Sequence, residues 1–181
     1  MGFDKEQLLV ISRTDGLNKK IKAFKEEVLK IPSVVNITNS TAVPGYPNNN
    51  NGFLMEGKSN DQNFLMWVNW VDYDYLNTYK IKLADGRAFS QDFASDTANV
   101  IINQEAVRRF GLTDPFNVRF IQPARNPGEK YYYNVIGVCS NFHYASLRSE
   151  IEPHVFMIKP EKWDWTGFIT IRLNKDNMKQ R

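Results

Sequence analysis

Residues 131–156, YYYNVIGVCSNFHYASLRSEIEPHVF, constrain this 181-residue chain more than any other stretch. Three tyrosines lead into the apolar run Val135-Ile136-Gly137-Val138-Cys139. That run is too short for a helix core and reads as a buried strand, with Gly137 where another backbone comes close. Ser140-Asn141 breaks it, because short polar side chains bond the local backbone and favour a turn. Phe142-His143-Tyr144 brings aromatics back to the core, Ser146-Leu147 can open a single helical turn, and Ile151-Glu152-Pro153 closes the passage before a strand at His154–Ile158. Strand, turn, proline and strand in this order describe a hinge between two packed bodies.

Strand signals recur at Leu8–Ser12, 34–38, 53–57, 65–72, 81–83, 100–102, 118–121 and Phe168–Leu173, all short and either β-branched or alternating. Leu17, Ile21, Phe24, Val28, Leu29 and Ile31 predict one apolar face of a helix of about four turns, stopped by Pro32. Val43-Pro44-Gly45-Tyr46-Pro47 and the four asparagines at 48–51 predict an exposed loop, either a connector or a binding loop. Trp67 and Trp70, three apart, fall on opposite faces of their strand. Residues 73–79 read as a short aromatic helix or tight turn, Asp85-Gly86 as a turn, and 90–99 as an acidic surface loop. Asn103 can cap a helix with Glu105 in its first turn, Ala106, Val107 and Phe110 facing inward, and Gly111 as its left-handed end. Residues 123–129 make a hairpin loop, Trp163 and Trp165 lie in the last loop, and 174–177 resemble the start of a further helix. Strands and helices that do not alternate strictly argue an α+β class.

Several chemistries find no support. The net charge of +3 is too small to argue for nucleic acid, and Lys19, Lys20, Lys22, Lys25 and Lys30 share one helix with Glu26 and Glu27, as on a solvated face. Cys139 is the sole cysteine, so no internal disulfide forms, and its apolar setting makes it a small buried hydrophobe rather than a nucleophile. His143 and His154 stand eleven apart with Cys139 four before His143, which reads as packed or hydrogen-bonded histidine rather than a zinc site or a Cys–His pair. Asp72 with Asp74, and Asp92 with Asp96, lie in polar stretches and read as solvated. No phosphate loop or Gly-x-Gly-x-x-Gly pattern is present. Trp70, Trp163, Trp165 and the tyrosines at 131–133 are spread over several elements and read as packing rather than a ligand platform. No catalytic, cofactor-binding or metal residue is assigned, and no cofactor is expected. The longest apolar run is five residues, 64–68, against the roughly 18 to 20 of a membrane span, and no signal-peptide pattern occurs.

The hinge stretch, with V-I-G-V at 135–138, N-F-H at 141–143, S-L at 146–147 and I-E-P at 151–153, also resembles the periplasmic core domain of MacB/FtsX-type ABC transporter permeases. Residues 100–106 running to Phe110-Gly111-Leu112 and Asp114-Pro115 are similar to that family's strand–helix segment. Gly86-Arg87-Ala88-Phe89 resembles its GR-x-F turn, and Gly2-Phe3-Asp4-Lys5-Glu6 before Leu8-Leu9-Val10-Ile11 resembles the exit from a first membrane helix. The order and spacing of these passages, which cover nearly the whole chain, carry the resemblance. Gly86, Arg87, Gly111, Gly137, Phe142, His143 and Pro153 match as fold-defining positions, whereas Phe116-Asn117 stands where the family places a glycine after Asp-Pro.

The resemblance implies two lobes. Residues 1–60 and 145–181 would form a porter-like strand–helix–strand sheet lobe, truncated at its C-terminus, and 61–144 an inserted, sabre-like mixed α/β lobe. Crossings near 57–63 and 141–152 would join them. It implies a non-catalytic extracytoplasmic domain at the periplasmic face of the inner membrane, lying between two membrane helices and coupling their ATP-driven motion to substrate or partner handling outside. Implied partners are a cognate ABC ATPase subunit or domain, a second permease copy or half, and a periplasmic adaptor or substrate protein; nucleic acid is not among them. The rival reading is a stand-alone secreted carbohydrate- or ligand-binding module using the 44–52 loop and the tryptophans. A cytosolic enzyme has only the lone cysteine behind it. Apolar spans of about 20 residues flanking the stretch would separate the first two readings.

Overall fold

The computed structural model describes residues 1–46, 49–59, 61–124, 128–160 and 167–174, and within them the fold is α+β. In chain order its strands are β1 (Leu8–Ser12), β2 (Val34–Ser40), β3 (Asn49–Met55), β4 (Phe64–Val71), β5 (Leu83–Gly86), β6 (Asn99–Asn103), β7 (Arg119–Pro123), β8 (Lys130–Cys139), β9 (His154–Ile158) and β10 (Phe168–Leu173). Its α-helices are α1 (Ile21–Leu29), α2 (Tyr75–Tyr79) and α3 (Gln104–Arg109).

Six strands close on themselves in the order β4-β3-β7-β8-β6-β9, with β9 returning to pair with β4. The β6–β8 and β4–β9 pairs are parallel and the other four are antiparallel, so this is a mixed barrel. Alternation along the strands fills it. Phe53, Met66, Val68, Val100, Ile102, Phe120, Val135, Val155 and Met157 meet inside. The residues between them, Ile101 and Phe156, point outward into a second core with Tyr75, Tyr79 and Phe142, beneath α2 and residues 140–153, the crossing from β8 to β9. Each of these large side chains contributes about 1.5–3 kcal/mol by leaving water.

Outside the barrel, β1, β10 and β2 form an antiparallel three-stranded extension. Its one face packs Ile37, Ile169 and Ile171 against Leu17, Ile21, Phe24 and Val28. The extension meets the barrel ladder through the single pair Ser40↔Val71.

Several elements differ from expectation. α1 is shorter than four turns, being preceded by two 3-10 turns, Thr14–Gly16 and Asn18–Lys20. Leu29 and Ile31 are exposed: Leu29 is turned about 100° from Val28, off the face shared by Ile21, Phe24 and Val28, and Ile31 lies beyond the end of the helix. Asn49, Asn50 and Asn51 are strand rather than loop, since Val68, Trp67 and Met66 of β4 supply their ladder partners. Asp85 and Gly86 lie within β5, opposite Val138 and Gly137, and not in a turn. Residues 146–149 form a turn closed by Ser149 N–H to Ser146 O at 2.9 Å, not a helical turn. Trp163, Trp165 and residues 175–177 lie outside the described residues.

Glycine is required where β5 meets β8. Gly86 has φ +74°, and a Cβ there would stand 2.4 Å from Ile136 O; a Cβ on Gly137 would stand 2.4 Å from Arg87 O. Trp67 and Trp70 do take opposite faces, Trp70 with the barrel interior and Trp67 facing the crossing. A division at 60/61 and 144/145 runs through the barrel, leaving β3 and β9 on one side and β4, β6, β7 and β8 on the other.

Candidate functional site

The second face of the β1-β10-β2 extension is polar where the first is apolar. Thr38, Thr170 and Arg172 alternate with Ile37, Ile169 and Ile171, and all three polar residues are buried. They meet α2. The Tyr79 hydroxyl lies 2.8 Å from Thr170 Oγ1, and Arg172 Nε donates to Thr78 O at 2.5 Å. The same guanidinium donates to Asp4 O at 2.8 Å and Glu6 O at 3.1 Å, so it clamps the N-terminal segment onto this seam. Phe3 stands edge-on to the Tyr79 ring at 6.0 Å, and His143 N–H donates to Met1 O at 2.8 Å. One strap, residues 1–7, thus touches the extension, α2 and the crossing.

Asp72, expected to be solvated, completes the seam. Its carboxylate accepts from the Thr38 hydroxyl, from Asn39 N–H at 3.0 Å and from Lys25 Nζ at 2.6 Å, while Asp74 accepts from the same ammonium at 2.8 Å. Burial pushes the Lys25 pKa down, but the two carboxylates outweigh it and hold the ammonium above its usual range. Asp96, also expected in solvent, has 0 % of its surface exposed. Burial alone would raise its pKa; the Arg87 fork at 2.7 and 2.8 Å, Ser90 N–H at 2.9 Å and Asn99 Nδ2 at 2.9 Å more than offset that and hold it below the ordinary carboxylate range. The partners of Asp72 come from distant elements, whereas Asp96 is enclosed by its own loop folding back on Arg87, Ser90 and Asn99. Arg87 directly follows Gly86 at the end of β5 and pairs, from a partly exposed position, with the buried Asp96 carboxylate.

The crossing is pinned along its length. Asn141 Oδ1 accepts from Glu105 N–H at 2.8 Å, and Trp67 N–H donates to Pro153 O at 2.9 Å. Asn103 caps α3 as expected, accepting from Ala106 N–H at 3.0 Å, and also accepts from His154 N–H and donates to Glu152 O. Phe142, 1 % exposed, stacks on Phe156 with ring centroids 5.6 Å apart. Cys139 is fully buried and its thiol pKa is pushed up to about 12, so the thiolate nucleophile is suppressed.

Between the crossing and β4 lies a pocket of about 260 Å³. Trp67, Tyr144, Phe142 and Tyr46 are among its aromatic walls, Glu150 and Glu152 supply carboxylates, and His143 and His154 also line it. Trp67 Nε1 donates to the Glu152 carboxylate, and the indole stacks on Tyr144 at 6.5 Å and 27°. His154 is 1 % exposed, and neither of its ring nitrogens, nor the Tyr144 hydroxyl, has a hydrogen-bond partner. Burial lowers the His154 pKa to about 3 and keeps the imidazole neutral. Cys139 and His143 do not converge on it as a catalytic pair. Among the described residues no group of three or more His, Cys, Asp or Glu is arranged to hold a metal ion.

No protein-family model and no curated protein sequence matches this chain. Solved structures do. The periplasmic region of MacB from Actinobacillus actinomycetemcomitans superposes with a TM-score of 0.63 at 14 % identity, over 97 % of this chain and 78 % of that one. The chain has the MacB periplasmic fold. The extracellular domain of the noncanonic ABC-type transporter YknZ from Gram-positive bacteria follows with TM-score 0.56 and 17 % identity, over 94 % and 77 % of the two chains. A domain of a putative permease protein from Porphyromonas gingivalis gives 0.57 and 17 %, over 83 % and 61 %. Among the described residues no helix of this MacB-like domain is long and apolar enough to cross a membrane.

Proposed function

We propose that the chain is the extracytoplasmic domain of an ABC transporter permease, and that it relays ATP-driven movement of membrane helices to substrate or a partner outside the membrane. The observation that carries this reading is the fold shared with the MacB periplasmic region over 97 % of the chain. The domain works without catalysis of its own; ATP is hydrolysed on a separate subunit or domain, and a second permease copy or half completes the assembly.

The relay uses the polar seam. Movement delivered to residues 1–7 reaches Thr78 and Tyr79 of α2, Arg172 of β10 and His143 of the crossing through the bonds already described. The moving boundary then lies at β2–β4, where the ladder is the single pair Ser40↔Val71, flanked by the Thr41 N–H to Trp70 O and Asp72 N–H to Asn39 O bonds. A boundary at 60/61 and 144/145 would require barrel ladders to open. Polar contacts suit such a joint, because water can replace them as they part, whereas an apolar core opens only at the cost of its whole buried area.

Full-length transporter with Cys substituted at Lys25 and Asp74, joined by a short bis-thiol reagent, tests the relay. Transport should stop while ATP binding persists. A cross-linked transporter that moves its substrate at the normal rate would reduce the domain to a passive docking surface. The binding-module reading keeps one point in its favour, since Gly45 and Tyr46 of the 44–52 stretch and Trp67 converge on the pocket.

A further inference from the structure

We infer that the pocket between β4 and the crossing binds a primary ammonium group carried on an aromatic body, an arylalkylammonium ion, with its N–H groups directed to His154 and Glu152. This goes beyond the relay and does not rest on it, since such a site would serve a permease domain and a stand-alone module alike.

His154 points to a ligand. A side chain 1 % exposed with two unpartnered ring nitrogens is rare, because each stranded buried polar atom costs about 1–3 kcal/mol. Phe142, Tyr144 and Phe156 surround the ring at centroid distances of 5.1, 4.8 and 4.8 Å, and none supplies a hydrogen bond to it. The neutral imidazole therefore carries a bare acceptor nitrogen with less than 1 Å² of accessible surface, which an ammonium N–H reaches and satisfies as the Phe142 and Tyr144 rings yield.

Charge and shape narrow the class. The pocket's lining includes Glu150 and Glu152 but no lysine or arginine. The guanidinium groups of neighbouring α3, Arg108 and Arg109, bond Glu105 at 2.6 and 3.1 Å, Arg109 also reaching the carbonyl of lining residue Ile151 at 3.5 Å, but neither they nor Arg148 in the exposed turn are part of the lining. An anion would meet carboxylates with no fixed positive charge on the wall. A cation would meet carboxylates and the faces of Trp67 and Tyr144, which attract it. A cavity of about 150 Å³ holds benzene, so 260 Å³ accommodates one ring with a short chain.

Calorimetric titration of the chain with 2-phenylethylammonium, 2-phenylethanol and phenylacetate tests the assignment. The ammonium ion should bind at least about tenfold more tightly than the alcohol, and phenylacetate not at all. Glu152→Gln keeps an oxygen for the Trp67 indole and should weaken the ammonium ion by about tenfold while leaving the alcohol unchanged. His154→Phe should abolish ammonium binding and raise the melting temperature by about 2–4 °C, because it removes the stranded nitrogens. If that variant fails to fold, the Glu152→Gln and alcohol comparisons decide. Equal binding of alcohol and ammonium ion, no binding of the ammonium ion, or a folded His154→Phe protein that melts lower would each overturn the assignment.

Discussion

The barrel and the β1-β10-β2 extension contain the same kind of alternating strand and use it in opposite ways. In the barrel the inner faces of β6 and β9 are apolar and fill the interior, while their outer faces set Ile101, Phe156 and Ile158 against Phe142, Tyr75 and Tyr79, with the buried polar residues Asn99, Asn103 and His154 only at the strand ends. In the extension one face is apolar and the other holds Thr38, Thr170 and Arg172 against α2. Burying a polar face costs its desolvation, recovered only through directional bonds, so the seam is specific without being strong. The difference teaches where this domain can move. The barrel is closed by six ladders, whereas the extension is tied by one ladder pair, a set of exchangeable polar contacts and the apolar contacts of Leu8 and Phe168 with the second core.

Substitutions break or sharpen that contrast. On the barrel side, Phe142→Ala should cost about 3–5 kcal/mol in denaturant unfolding, the range for a fully buried aromatic. A cost below 1 kcal/mol would mean that the crossing is not anchored by this ring. Asp96→Ala should cost about 2–3 kcal/mol at neutral pH by stranding Ser90 N–H and Asn99 Nδ2. The Asp96 pKa is depressed in the folded state, so its contribution is present above the ordinary value of about 3.9 and is lost as pH falls through the folded value. The gap between wild type and Asp96→Ala should therefore narrow below about pH 4, and a gap unchanged down to pH 2 would contradict the ion pair.

On the seam side, effects should be smaller and local. Asp72→Asn should cost about 1–2 kcal/mol, because it removes one of the two carboxylates on Lys25 and weakens the hold on Thr38 and Asn39. Tyr79→Phe should cost about 0.5–1.5 kcal/mol by removing the bond to Thr170. Both should show in proteolysis of the extension or in its hydrogen exchange before they shift global unfolding. If either lowers global stability as much as Phe142→Ala, the two regions are one cooperative unit.

The elements legible in the sequence are those whose signals are local. β1, β9 and β10 have the predicted bounds because each is a short apolar or alternating run between breakers. The Asn103 cap, the left-handed Gly111, the burial of Cys139 and the close approach at Gly137 were readable for the same reason. What escaped depends on partners distant in sequence. The asparagines of β3 look like a loop until β4 pairs with them, and Asp72 looks solvated until Lys25, 47 residues earlier, reaches it. The polar seam was half-visible, since the I-T-I-R alternation of β10 announces one apolar and one polar face, but nothing local says that the polar face is buried. Nine of the twelve residues lining the pocket lie in the 142–154 stretch; Trp67, from β4, and Gly45 and Tyr46 complete it.

Native-state hydrogen exchange across increasing denaturant tests the central contrast most directly, by comparing amides of β2 and β10 with those of β6 and β9. The account predicts two openings: a sub-global one that releases β1, β2 and β10 together with a small denaturant slope, and a global one that releases the barrel. Exchange of all four strands with one free energy and one slope would contradict it, because the extension would then have no separate motion to relay.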